Sequence, residues 1–237
     1  MKRLLVAASV VVMLAAGPAA AAGQTASPMV TSDVMRTTVM LTLLAILPAM
    51  LISMTSFVRI VISLSMVRHA FGMPETPPNA VLISLALFLT AFSMGPTFST
   101  LNSDAVQPFL NGKIGVEEAM AKGSVPLRTF MLAQTRDSDI AAIYAISHTP
   151  VPARPDQVDI LKLAPAFIIN ELRVSFTIGF VILLPFLLID LVVSAILLAL
   201  GMMMVPPATI SLPIKLLMFV LIDGWSLVIQ GVLGSFK

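Results

Sequence analysis

The chain has 237 residues, of which 58% are hydrophobic and 11% charged, with a net charge of +2. Soluble domains carry about 25% charged residues, so this composition cannot coat a water-exposed surface and belongs to the membrane class. The small, dispersed basic excess also excludes a nucleic-acid-binding patch. Cysteine is absent and only two histidines occur, His69 and His148. That removes disulfides, thiolate metal sites, iron–sulfur clusters and cysteine nucleophiles, and leaves no metal site to expect.

Lys2 and Arg3 precede an uncharged apolar run from Leu4 to Ala16, then Gly17-Pro18 and an A-x-A site at Ala20 to Ala22. This order reads as a cleavable signal peptide over residues 1–22. The alternative is an uncleaved first transmembrane helix, but the run is shorter than the ~20 residues a span needs. Residues 23–36 then form a small, polar mature N-terminus outside the cytoplasm.

Residues 37–100 hold a first pair of apolar segments. One runs from Thr37 to Val67 with a single charge, Arg59, and the other from Ala80 to Phe98; Pro74, Pro77 and Pro78 make the loop between them. Residues 101–162 carry half of the charged residues and read as a soluble periplasmic insert of short helices. Glu118 and Lys122 stand at i,i+4 spacing with Gly123 as a stop. Pro126 opens a second helix carrying Leu127, Phe130 and Met131, and Ser138-Asp139 caps a third with Ile140, Ile143 and Tyr144. Residues 163–237 return to apolar sequence. Leu163 to Val205 is interrupted by Glu171, Arg173, Pro185 and Asp190, and Pro206, Pro207 and Pro213 break it from a last segment, Ile214 to Leu233. The expected fold is an all-α membrane protein with four mature hydrophobic segments.

Arg59, Glu171, Arg173, Asp190, Lys215 and Asp223 lie in or against apolar runs. A central Arg, Lys or Asp costs about 2.5–3.5 kcal/mol on insertion scales, and the freed carbonyls around Pro48 and Pro185 add to that. Glu171 and Arg173 do not share a helix face, and Lys215 and Asp223 are two turns apart. Glu171, Asp190 and Lys215 are therefore expected to pair between helices or between subunits, with Arg59 among the buried charges available. An ion pathway is the competing reading, although the carboxylates do not align along one face. No G-x-S-x-G, Walker loop, G-x-G-x-x-G or H-E-x-x-H occurs, so no catalytic set or cofactor is expected. The segment Gly201-Met202-Met203-Met204-Val205-Pro206-Pro207 is unusual. Composition makes its methionines ordinary apolar filler, and the alternative is a deformable plug that closes around varied cargo and dewets when empty.

Several longer stretches are distinctive together. They are Gly201 to Ile210, Pro213 to Trp225, Pro165 to Leu172, Thr55 to Ile60 and Arg128 to Arg136. In this order they resemble the FliP/SctR family of type III export-gate subunits over most of residues 37–237. The resemblance implies a bacterial inner-membrane component of the flagellar basal body, with a periplasmic portion. It implies several copies of the subunit in a helical or ring-like assembly, a pentamer being the expected count, together with FliQ and FliR, the FlhA and FlhB export components and exported flagellar proteins. It further implies that the apolar segments are helical hairpins covered by protein, that Met202, Met203 and Met204 form a constriction, and that Glu171, Asp190 and Lys215 serve packing between subunits. The signal peptide favours the flagellar branch. The function expected is passage of unfolded flagellar proteins across the inner membrane without enzymatic chemistry. The competing function is a secondary transporter of a small solute using the buried charges, for which matching sequence halves are missing.

Overall fold

The computed structural model describes residues 52–73 and 75–236, together with Thr38, Leu41, Thr42, Ala45 and Ala49. Residues 1–46 separate from 47–237 as a unit of their own, and the description below concerns the second unit. The signal peptide, the mature N-terminal segment and Pro48 lie outside the described residues. Among the described residues all regular structure is helical, with no strand.

After a turn at Met54 to Ser56, helix α1 spans Phe57–Ala70 and ends in basic residues, Arg68 and His69, which suit the negative end of the helix dipole. Helix α2, Asn79–Ser93, starts behind Pro78, and α3, Gly95–Leu101, begins with Pro96 in its first turn. A π-helical turn at Asn102–Val106 leads into the short α4, Gln107–Leu110. The insert continues with α5, Val116–Gln134, and α6, Asp137–Ile146. Helix α7 then runs unbroken from Ile160 to Ala199, its start capped by the Asp159 side chain, which accepts from the Leu161 amide at 3.0 Å. Two further helices, α8 at Ala208–Leu221 and α9 at Gly224–Leu233, complete the described chain.

Four elements differ from the expectation. Gly123 does not stop a helix and Pro126 does not start one, because α5 passes through both. A proline deletes one amide donor, and the helix tolerates it here within a run held on both sides. Gly123 simply faces Ala105 of the π turn. Asp139 is not a cap either: α6 starts at Asp137, and Asp139 turns inward. The second and fourth apolar segments are each bent, by 66° between α2 and the Gly95–Leu110 stretch and by 67° between α8 and α9. Among the described residues, α7 is the one helix long and apolar enough to cross a membrane, and each bent pair passes the same test when taken as one span.

Two cores hold the unit together. The larger contains Ile60, Leu64, Val67 and Phe71 after and along α1, Leu82 and Ala86 of α2, Phe186 of α7, Phe219 of α8 and Val228 of α9. The smaller seats the insert on the first turns of α7, through Met131, Ile140, Tyr144, Leu163 and Phe167. There the Tyr144 hydroxyl accepts from the Asp159 amide at 3.0 Å. The contacts fix direction as well as proximity. Arg59 meets Glu171, Met66 lies against Gly179, and Phe71 stacks edge-on to Phe186. Helices α1 and α7 thus run parallel, while Lys215 against Asp190 and Phe219 against Phe186 make α8 antiparallel to α7.

Glycine is required at the corner between α8 and α9. Asp223 takes a left-handed conformation there (φ 51°), and a Cβ on Gly224 would come within 2.2 Å of the Phe219 ring. That ring cannot retreat, because Phe71 and Trp225 pack edge-on against it with centroids at 4.8 and 5.5 Å. The variant Gly224→Ala should lose about 1–3 kcal/mol to overpacking. A lowered unfolding temperature in detergent, with an altered near-ultraviolet signal from Trp225, is the expected result; an unchanged melt would show that the corner adapts.

Candidate functional site

Helix α7, the loop after it and the α8–α9 pair form one long hairpin whose tip is the methionine segment. The tip is shaped by backbone chemistry. Gly201 sits at φ 74°, a conformation that costs glycine nothing. Its amide donates to the Leu198 carbonyl at 3.0 Å, and the Met202 amide reaches back to Leu197 at 2.9 Å. These two bonds make a Schellman motif, which satisfies the last carbonyls of α7 and turns the chain sharply. On the far side, Pro206 and Pro207 prevent early resumption of the helix. The Thr209 and Ile210 amides close the first turn of α8 by donating to the Pro206 and Pro207 carbonyls, both at 3.1 Å. Between these fixed ends Met202, Met203 and Met204 are 43%, 80% and 95% exposed.

The charged residues expected to pair lie elsewhere on the hairpin, in two separate places. Arg59 and Glu171 meet at the start of the α1–α7 contact, exposed by 1% and 0%. Arg59 Nε donates to Glu171 Oε2 at 2.7 Å and Nη2 to Oε1 at 2.5 Å, the bidentate fork for which the guanidinium is shaped. Nη2 also donates to Gln134 Oε1 at 3.3 Å, and Nη1 donates to the Ser235 carbonyl and hydroxyl at 2.9 and 3.0 Å. The Phe236 ring covers the guanidinium carbon at 4.0 Å.

Lys215 and Asp190 meet nearer the tip. Lys215 Nζ donates to Asp190 Oδ2 at 2.6 Å and to the carbonyl of Ala70, the last residue of α1, at 3.3 Å. The ammonium is buried while the carboxylate is partly open. Arg173 forms a third pair, at 2.7 and 2.8 Å to the two oxygens of Asp139 on the insert. Asp223, grouped with the buried charges by its position in an apolar run, is exposed at the α8–α9 corner.

Three contributors were not singled out from the sequence, Gln134, Ser235 and Phe236, and a fourth, Asp139, was expected as a helix cap and not as a partner of Arg173. Asp139 has one legible signal, since an acid facing an apolar helix stripe needs a partner. Gln134, Ser235 and Phe236 offer none, because their role depends on tertiary approach of segments far apart in the chain.

The arrangement can do little chemistry on a solute. Each cation among Arg59, Arg173 and Lys215 is already met by a carboxylate, and the segment that faces outward is apolar. Among the described residues, fold and site define an all-helical protein with a membrane-length apolar helix, charges neutralised in pairs between helices, and an uncharged hairpin tip. The chain belongs to the FliP family, which it matches over residues 40–232. It is similar to the flagellar biosynthetic protein FliP of Pectobacterium carotovorum subsp. carotovorum, 50% identical over 201 residues that cover 85% of this chain and 78% of that one. The flagellar biosynthetic protein FliP of Bacillus subtilis (strain 168) is 45% identical over 205 residues, covering 86% and 93%. That of Caulobacter vibrioides (strain ATCC 19089 / CIP 103742 / CB 15) is 46% identical over 198 residues, covering 84% and 74%.

Removing one partner of a buried pair strands the other, so Arg59→Leu alone should destabilise the folded unit by about 3–5 kcal/mol. The double variant Arg59→Leu, Glu171→Leu should recover a large part of that loss, because no charge is left without a partner. Thermal unfolding of the four proteins of the cycle in detergent measures this. Additive single and double effects would mean that the two side chains are not coupled as the geometry requires. Arg173→Ala, at an open pair, should cost clearly less than Arg59→Leu in the same assay.

Proposed function

We propose that the chain is a core pore-forming subunit of the flagellar type III export gate, which passes unfolded flagellar proteins across the bacterial inner membrane. Membership of the FliP family supports the flagellar assignment, as do the relatives named as flagellar biosynthetic proteins. One structural observation carries the conduit reading: an exposed, uncharged methionine tip held at both ends by backbone geometry. Methionine is unbranched and adaptable, so tips converging in an assembly would close around side chains of many shapes and shed water when empty. Gly201, Pro206 and Pro207 form the rigid frame of that closure.

The same reading accounts for the length of α7. Forty residues span about 60 Å, roughly twice the hydrocarbon thickness of a bilayer. An apolar stripe through Ile169, Leu172, Phe176, Phe180, Leu184 and Leu187 stays exposed over nearly half of that length. In the proposed assembly further copies of the chain, with FliQ and FliR, cover what lipid does not, and part of the core stands on the periplasmic side with residues 101–162. FlhA and FlhB complete the export apparatus around this core. The paired charges then serve packing rather than transport.

Deleting the gene should abolish flagella, and the intact gene supplied in trans should restore them; flagellated deletion cells would end this reading. Replacing Met202, Met203 and Met204 with alanine should raise ion leakage through the assembled complex. The leak is measured as dissipation of membrane potential in cells or vesicles. An unchanged leak would count against the closure at the hairpin tip.

A further inference from the structure

Sulfur redox chemistry in this chain can belong only to methionine, since it has 16 methionines and no cysteine. Among the described residues their exposure runs from none to nearly complete, with Met120 of α5 at 61% as the one well-exposed methionine outside the hairpin tip. Met94 and Met131 are completely buried and Met54 nearly so. Met203 and Met204 lie at the other extreme, with Met202 beside them, as three consecutive thioethers at the hairpin tip. Access of the oxidant to the sulfur lone pair governs which methionines react. The backbone bonds that fix the tip involve no methionine side chain, so a change at sulfur leaves the turn formed.

We propose that Met202–Met204 is a methionine-oxidation site, at which a peroxide-class oxidant converts thioethers to sulfoxides and so makes the apolar tip wettable. The sulfur lone pair attacks the distal peroxide oxygen, the S–O bond forms and the O–O bond breaks. Sulfur is oxidised by two electrons, peroxide is reduced, and the departing hydroxide takes the proton of the transferred hydroxyl, leaving the sulfoxide and water. The product side chain is polar where the thioether was apolar. A constriction that closes by dewetting loses that property when its lining accepts hydrogen bonds. The modification rests on the exposure of the tip in the subunit and on peroxide reaching it from either face of the assembled constriction; its consequence for permeation rests on the conduit reading above.

Membranes carrying the full chain with its natural partners are treated with hydrogen peroxide, at a dose that measurably oxidises free N-acetylmethionine amide in the same buffer. Peptide mass spectrometry should find sulfoxide at Met203 and Met204 forming at least about tenfold faster than at Met94 and Met131. Ion leakage should rise in parallel and fall again after treatment with methionine sulfoxide reductases and dithiothreitol. In the variant Met202→Leu, Met203→Leu, Met204→Leu the leak, whatever its starting level, should not respond to peroxide. Oxidation of the tip no faster than of Met131 would overturn the modification, regardless of what the pore does. Fast oxidation without added leakage, in a complex whose alanine variant does leak, would overturn the wetting step alone. If the alanine variant is also tight, the conduit reading fails and the wetting step fails with it.

Discussion

Five N–H donors on one buried guanidinium organise the unit. Arg59 spends two on Glu171 of α7, one on Gln134 at the end of α5, and two on Ser235 beyond α9. A buried arginine that left any of them unmet would bear a desolvation cost of several kcal/mol. The four segments therefore cannot separate independently. The carboxylate of Glu171 has the same dependence in reverse, being completely buried with Arg59 as its counter-charge. Hydrophobic packing would permit α1 to slide or rotate on α7 at modest cost, whereas a bidentate fork fixes both rotation and register. The close approach at Gly179 follows from that register, because it places Met66 where a Cβ at position 179 would collide with its side chain.

A second cation completes the frame at the other end of α1. Arg59 and Ala70 lie eleven residues apart on that helix, about 16 Å, and the α8–α9 pair is tied at both points. Lys215 holds one end through Asp190 and the Ala70 carbonyl, and Ser235 holds the other through Arg59. Between the two ties the bent pair does not pack fully onto α7. An apolar cavity of about 400 Å³, lined by residues including Ile178, Ile182, Phe186, Phe219 and Val228, lies along the bend. Polar ties at the ends with loose packing in the middle fix where the hairpin begins and ends more firmly than how its interior is filled.

Much of this was legible in the sequence because it follows from composition and from backbone-breaking residues. Among the described residues the apolar runs became helices, Pro77-Pro78 and Pro206-Pro207 fell between elements, and Glu171, Asp190 and Lys215 sat where an unpaired charge would be untenable. The bends were harder to see. The corner at Asp223-Gly224 depends on Phe219 being wedged by rings from α1 and α9, and within the apolar run Ile214 to Leu233 the Asp-Gly dipeptide is a turn signal that carries no information on the 67° angle. Gly123 and Pro126 misled for the opposite reason, since both are helix breakers by intrinsic propensity and both were overridden by context. Partner choice was the least legible feature. Which carboxylate meets Arg59, 112 positions away, is decided by the parallel course of α1 and α7, and no local pattern encodes that.

The tip shows a division of labour between backbone and side chains. Gly201 and the two prolines determine its path, and the hydrogen bonds that close it run between main-chain atoms of Leu197, Leu198, Gly201 and Met202. The methionine side chains contribute nothing to that geometry. Leaving a methionine in water forgoes about 1.5–3 kcal/mol relative to burying it, so three at one tip are a standing cost to the isolated subunit with no local return. Two turns or more of helix on each arm, Asp190 to Ala199 and Ala208 to Lys215, separate the tip loop from the Lys215–Asp190 pair, placing it at least about 10 Å beyond that charge of the frame. An apolar, adaptable surface on a rigid arm, remote from any fixed charge, is suited to contact with something that has no single shape.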